Sequence, residues 1–226
     1  MNKKIIDLTM EINEGMQTFP THWHPFVEIT QLGRHGIENR ETRKVTLGTH
    51  TGTHVDAPKH FIKNAGAVDK IPLDQLMGKA SLIDLTEFSD NQEVSKNNLK
   101  IAIGKKDIRK ILLHFGWDKK LGTNDYYTKN PFISEEAAEW LVNEGCHLVG
   151  MDTPMPDDPK NNRDSCNDSP VHKILLSNNV VLVEYLVNLN LINQNTFFLV
   201  VSPLKIKDAD GSPARVVAIL EDYFLT

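Results

Sequence analysis

Cysteine is nearly absent: Cys146 and Cys166 are the two among 226 residues. They form no CxxC pair, so neither a disulfide framework nor a cysteine-built zinc site is available, and a reducing cytoplasm is the expected setting. Charge of one sign is also missing. Lys and Arg number 25 against 30 Asp and Glu, with no basic stripe, which argues against nucleic acid or a membrane surface as partner. No run approaches the roughly 18 apolar residues needed to span a bilayer. Asp7 and Glu11 interrupt the opening stretch, so a signal peptide is not expected. Repeats, low-complexity tracts and long linkers are lacking too. What remains is an ordinary globular mixture, 40% apolar and 24% charged, long enough to bury a full core without staples. It reads as one domain over residues 1–226.

Alternating or β-branched runs predict strands at 4–12, 42–47, 80–85, 111–115, 147–152, 180–183 and 197–202. The run at 42–47 is expected to feed the histidine-rich segment that follows it. Ser134 to Gly145 predicts a helix, with Ser134 as N-cap, Glu135 and Glu136 in the first turn and Gly145 as the stop. Ser169-Pro170 predicts a second, short helix carrying His172, with serine as N-cap and proline at the first helical position. Residues 95–103 fit helix and strand alike. Phe19 to Pro25 reads as an irregular aromatic loop, and Asp210-Gly-Ser-Pro213 as a turn. Interleaved helices and strands make the class α/β.

The chemistry concentrates in residues 50–60. His50, His54, Asp56 and His60 fall within eleven residues of a chain holding nine histidines. Imidazole with carboxylate suits a divalent metal such as zinc, manganese or iron. Fully extended, the segment would span roughly 33 Å, whereas a metal–ligand bond is about 2 Å, so one straight strand cannot gather all four. Gly52, Pro58 and the β-branched Thr51, Thr53 and Val55 oppose a helix. The expectation is a tightly curled loop, which Gly48 and Gly52 permit. Glu184 is a second signal. It sits between Val180–Val183 and Tyr185-Leu-Val, so it should be at least partly buried, and a buried carboxylate needs a metal or a basic partner to stay ionised. His172 reads either as a ligand or as a solvated first-turn residue. His22 and His24 read as solvated loop residues, Asp152 and Thr153 as pocket wall, and His35, His114 and His147 as structural. Cys166 lacks a histidine neighbour in sequence and is not expected to be a nucleophile.

The string His50-x-Gly-Thr-His54-x-Asp56-x-Pro-x-His60 resembles the signature of the metal-dependent cyclase-type hydrolases, which include bacterial kynurenine formamidase and isatin hydrolase. Phe61, Ile71-Pro-Leu73, Gly78, Gly150 to Pro154, Pro203 to Lys207 and Asp210 to Arg215 resemble further family segments in order. The resemblance implies a swivelling β/β/α fold with a central mixed sheet, a homodimer or homotetramer, and a divalent metal, zinc or manganese, one or two per chain. It implies that His50, His54 and Asp56 bind a first metal. Asp56 would also reach a second, completed by His172 and by Glu184 twelve residues later. His60 would be the proton donor and acceptor. Phe19 stands where kynurenine formamidases place a substrate-contacting Trp, which implies a place in the pocket. Thr21 replaces a usual Gly, and His22-Trp23-His24 has no counterpart in that pattern.

The implied activity is hydrolysis of a C–N amide bond in a formamide, lactam or cyclic imide by metal-activated water. His60 would serve as proton shuttle, a device worth roughly 10²–10⁴-fold. Two alternatives use the same residues: a lyase or cyclase acting on an enolisable substrate, and a non-catalytic metal-dependent binding protein, which needs no open coordination position. Whichever applies, metal release should begin as the imidazoles protonate, near their reference pKa of about 6.5.

Overall fold

The computed structural model describes residues 5–161 and 167–220. Cys166 and Lys4, the first residue of the expected opening strand, lie outside the described residues. In chain order the strands are β1 (Ile5–Asp7), β2 (Glu28–Gly33), β3 (Thr42–Thr46), β4 (His54–Asp56), β5 (Met77–Asp84), β6 (Glu93–Val94), β7 (Lys110–His114), β8 (Phe132–Ile133), β9 (Leu148–Met151), β10 (Val181–Glu184), β11 (Thr196–Pro203) and β12 (Gly211–Ile219). The helices are α1 (Leu73–Leu76), α2 (Lys96–Ile103), α3 (Asn124–Thr128), α4 (Glu135–Asn143) and α5 (Pro170–Ser177). No helix among them is long and apolar enough to cross a membrane.

The main sheet runs β1-β12-β11-β5-β7-β9-β10-β4, and β4 also pairs with β12. Seven strands therefore close into a barrel, with β1 attached outside the ring on β12. The sheet is mixed: β5, β7, β9 and β10 are parallel, and the other pairs are antiparallel. Parallel neighbours need a crossover, and α2, α4 and α5 lie in the connections between them. The parallel strands are correspondingly buried along almost their whole length, as Leu148–Met151 and Val181–Glu184 show. Val55, Val181, Val183, Leu199 and Val216 pack in one apolar cluster. Leu99, Leu141, Met151, Leu175 and Leu182 pack in a second one, where helices meet the other face of the sheet.

Local chemistry explains the helices. Ser95 and Asn98 form a reciprocal capping box that resolves residues 95–103 as α2. Ser134 Oγ accepts from the Ala137 N–H at 3.1 Å, as its N-cap role requires, and Gly145 follows α4 at φ +79°.

Several expectations need correction. The run at 42–47 does not join the main sheet. As β3 it pairs with β2, a strand the sequence pattern did not reveal, in a separate two-stranded ribbon whose β3 residues are all exposed. Ser169 precedes α5 but makes no side-chain cap and sits at φ +48°. Asp157 takes over that task, accepting from the N–H groups of Val171 at 2.7 Å and His172 at 3.2 Å. Gly211-Ser-Pro213 is not a turn but the start of β12, where a proline in the first positions of a strand is tolerated.

Candidate metal centre

β4 is three residues long and closes the ring. Glu184 of β10 lies opposite His54, and Leu182 opposite Asp56; on the other side Gly211 lies opposite Asp56 and Pro213 opposite His54. Side chains alternate along a strand. Because Val55 and Val183 point into the barrel cluster, His54, Asp56 and Glu184 share the opposite face. His172 in the first turn of α5 meets them there. Ahead of β4 the chain curls as expected through residues 49–53, with Gly52 at φ +61°. The Thr53 hydroxyl donates to the Tyr185 carbonyl at 2.6 Å and accepts from the Met10 N–H at 2.8 Å, which pins the curl. Tyr185 itself sits at φ +57°, a strained setting for a bulky residue directly after Glu184. After β4, a single 3-10 turn, Pro58–His60, delivers His60.

All five expected ligands converge. His54 Nε2 is 3.2 Å from Asp56 Oδ1 and 3.5 Å from Glu184 Oε2. His172 Nε2 is 3.1 Å from Glu184 Oε1 and 3.5 Å from Asp56 Oδ2. His50 Nδ1 is 2.7 Å from Asp56 Oδ1. Two of the imidazoles are turned by bonds at their far nitrogens. His54 Nδ1 donates to the Gly52 carbonyl at 2.8 Å, and His172 Nδ1 bonds Asp157 at 2.5 Å, so each presents Nε2 to the carboxylates. Donor atoms of His54, Asp56 and Glu184 lie within 4.8 Å of one another, as do those of His50, Asp56 and His60.

Whether a metal fits is decided by Asp56. Its Oδ2 is buried with no hydrogen-bond partner among the described residues, and the 3.5 Å to His172 Nε2 is too long to serve as one. An unpaired buried carboxylate oxygen is costly, and coordination would satisfy it. The electrostatics agree. Burial opposes ionisation of Asp56, yet His50 and His60 hold it well below the usual carboxylate range. Burial and then the neighbouring Asp56 push Glu184 up, against His172. Burial disfavours charge on His172, but Asp157, Asp56 and Glu184 outweigh it and raise it well above an ordinary imidazole. His50 is likewise raised, to about 10, by Asp56 and Asp210 in spite of burial. The carboxylates demand positive charge, and protons on His50 and His172 compete with a metal to meet it.

A cavity of about 740 Å³ opens onto these groups, lined by His50, His54, Asp56, His60, His172 and Glu184. Phe19 lies on its wall, edge-on to Tyr127 at 5.9 Å, with Trp23, Phe61 and Tyr185 nearby on the lining. His24 departs from the solvated-loop expectation. Its ring is 6.0 Å from that of His50 on the cavity wall, and burial, then His50, depress it to about 4. Asp152 and Thr153 do not line the cavity, whereas Pro154 and Met155 do. The Asp152 carboxylate instead accepts N–H groups of Phe115, Gly116 and Trp117. Two participants went unread. Asp157 orients His172, and Asp210 contacts both His50 and His60. No local pattern marks the first; the Asp-Gly pair of the second reads as a turn.

The family model described as "Putative cyclase" matches residues 6–158. The chain belongs to the cyclase family. Kynurenine formamidase of Bacillus thuringiensis subsp. konkukian (strain 97-27) is 28% identical to it over 218 residues, 94% of this chain and 95% of that protein. Among solved structures, a potential metal-dependent hydrolase with cyclase activity matches this cyclase-family chain with a TM-score of 0.75 at 25% identity, covering 95% of it and 96% of the other. Isatin hydrolase A from Ralstonia solanacearum shares the fold, with a TM-score of 0.85 at 24% identity over 96% and 92% of the two chains.

Proposed function

We propose that this chain is a metal-dependent amidohydrolase that cleaves the C–N bond of a small formamide, lactam or cyclic imide. The observation that carries the reading is the placement of the five ligand candidates on the wall of a 740 Å³ cavity. A purely structural site would be closed off, whereas a catalytic one must admit water and substrate. The kynurenine formamidase relative supports the reaction class.

A divalent metal, zinc or manganese, held by His50, His54 and Asp56, with a second reaching His172 and Glu184, would supply Lewis acidity and lower the pKa of water towards about 7. Every other part belongs to the protein. Asp157 and the Gly52 carbonyl fix the imidazoles of His172 and His54. His60, part-exposed on the cavity wall, takes the proton of the attacking water and returns it to the departing nitrogen, which must be protonated to leave. Phe19, Phe61 and Tyr127 form an apolar wall that seats a flat substrate and limits water. The reading takes the whole chain as one catalytic domain in the cytoplasm, where the buried thiol of Cys146 stays free. A homodimer or homotetramer is part of it as well. An isolated two-stranded ribbon is marginal in water, and the exposed residues of β3 offer a face that a second copy would cover.

The test is a spectrophotometric screen of metal-replete protein on formamides, lactams and cyclic imides, N-formylkynurenine and isatin included, with His54→Ala as blank. Cleavage of at least one above the blank is expected. Equal rates throughout would sink the reading and promote the lyase and binding-protein alternatives. Run in H₂¹⁸O, hydrolysis places one label in the product acid, and elimination places none.

A further inference from the structure

The carboxylate of Asp210 touches two histidines at once. Oδ2 is 2.7 Å from His50 Nε2 and 3.2 Å from His60 Nδ1. Oδ1 accepts from the Thr49 hydroxyl at 3.1 Å. The two imidazoles it joins are stacked, with ring centroids 3.9 Å apart and planes tilted by 34°. Both line the cavity, but Asp210 does not, so it stands behind them. The surrounding structure is shaped for this contact. The Asp210 carbonyl accepts from the Ala57 N–H at 2.9 Å, which ties the start of β12 to the end of β4. A Cβ on the next residue, Gly211, would lie 2.8 Å from His50 Cε1 and 2.8 Å from the Val55 carbonyl. Only glycine lets the His50 ring lie that close.

We propose that Asp210 is a positioning residue that sets the tautomers of His50 and His60 together. An ionised carboxylate only accepts hydrogen bonds. The nitrogen of each ring that faces Asp210 must therefore carry a proton, so that when a metal displaces the second proton of His50, and when His60 is neutral, the opposite nitrogen is the bare one. For His60 this puts N–H at Nδ1 and leaves Nε2 to accept the proton of the attacking water. For His50 it puts N–H at Nε2 and leaves Nδ1, 2.7 Å from Asp56 Oδ1, as the metal-binding atom. The ligand and the shuttle are thus coupled through one oxygen. The arrangement is that of a carboxylate holding a catalytic imidazole in its working tautomer, here extended to a neighbouring ligand. The shuttle half of the inference rests on the amidohydrolase reading; the tautomers do not depend on any substrate.

Long-range ¹H–¹⁵N spectra of zinc-loaded wild-type protein should show His60 as the Nδ1–H tautomer. His50 should carry its proton on Nε2, with Nδ1 shifted by the metal. The His60 signals are identified by their loss in His60→Gln. The isosteric Asp210→Asn can donate to these nitrogens as well as accept from them, so it should let His60 move to Nε2–H. It should lower kcat by about 100-fold with KM within about threefold and with zinc content unchanged. His60 found as Nε2–H in the wild type, or His50 coordinating zinc through Nε2, would overturn the proposal whether or not the variant folds. So would Asp210→Asn with wild-type kcat. Failure of the wild type to cleave any amide would count instead against the amidohydrolase reading, and the spectra would still decide the role of Asp210.

Discussion

Four carboxylates, Asp56, Asp157, Glu184 and Asp210, meet four histidines, His50, His54, His60 and His172, and the charge balance among them has measurable consequences. His50 titrates near 10 in the folded protein and near 6.5 when unfolded. A group whose folded pKa is raised contributes stability fully present below its unfolded pKa and lost as pH rises through the folded one. Chelated protein should accordingly lose melting temperature between about pH 6.5 and 10. Zinc, whose binding must displace those protons, should add more to the melting temperature at pH 9 than at pH 6.5. Calorimetry with and without chelator reads both, and a zinc increment that shrinks towards pH 9 would contradict the charge balance. This replaces the simple onset near 6.5 expected from isolated imidazoles. Two substitutions separate ligand from shuttle. Glu184→Gln keeps shape but removes charge, so metal stoichiometry by elemental analysis and turnover should both fall. His60→Ala should keep metal and fold yet lose roughly 10²–10⁴-fold in kcat; loss of a metal there would make His60 a ligand. At this scale the sequence was most legible where the candidate ligands that converge are neighbours along the chain. His50 to His60 declare themselves, whereas Asp157 and Asp210 act through contacts that span 15 to 160 positions.

Elements were legible in proportion to how much of their pattern is local. The Ser134 cap and Gly145 stop define α4, and the apolar runs of β7, β9 and β10 mark buried parallel strands. β2 and β3 carry exposed, mixed residues because they pair only with each other, so no apolar periodicity announces the ribbon. β12 hid its first turn-like residues, Gly211-Ser-Pro213, because its opening pairs with β4 rather than reversing direction. That pairing yields a prediction. Gly211→Ala would push a methyl group into the His50 ring and the Val55 carbonyl, which should cost about 1–3 kcal/mol in urea unfolding and weaken zinc binding. Gly145→Ala is the control. At φ +79° it is strained, but its Cβ would meet nothing within 4 Å, so it should lose about 1 kcal/mol with zinc affinity untouched. Equal effects on zinc in the two variants would refute the role given to Gly211.

For the molecule as a whole, the ring closes through three residues, and two of them are His54 and Asp56. His54, Asp56 and Glu184 would hold a metal between β4 and β10, so loading and closure would reinforce each other. Hydrogen exchange should slow on adding zinc in β4, β10 and the first residues of β12, with little change in β5, β7 and β9; uniform slowing would mean that the seam is no weaker than the rest. The closed ring itself could not be read from the sequence, because it rests on pairings such as His54 with Glu184, 130 positions apart. That separation also has a meaning in time. During synthesis at about 5–20 residues per second, His54 emerges roughly 6–26 seconds before Glu184. Until then the nascent chain carries an incomplete set of candidate donors, so firm capture of an ion would have to wait for the strand that carries Glu184.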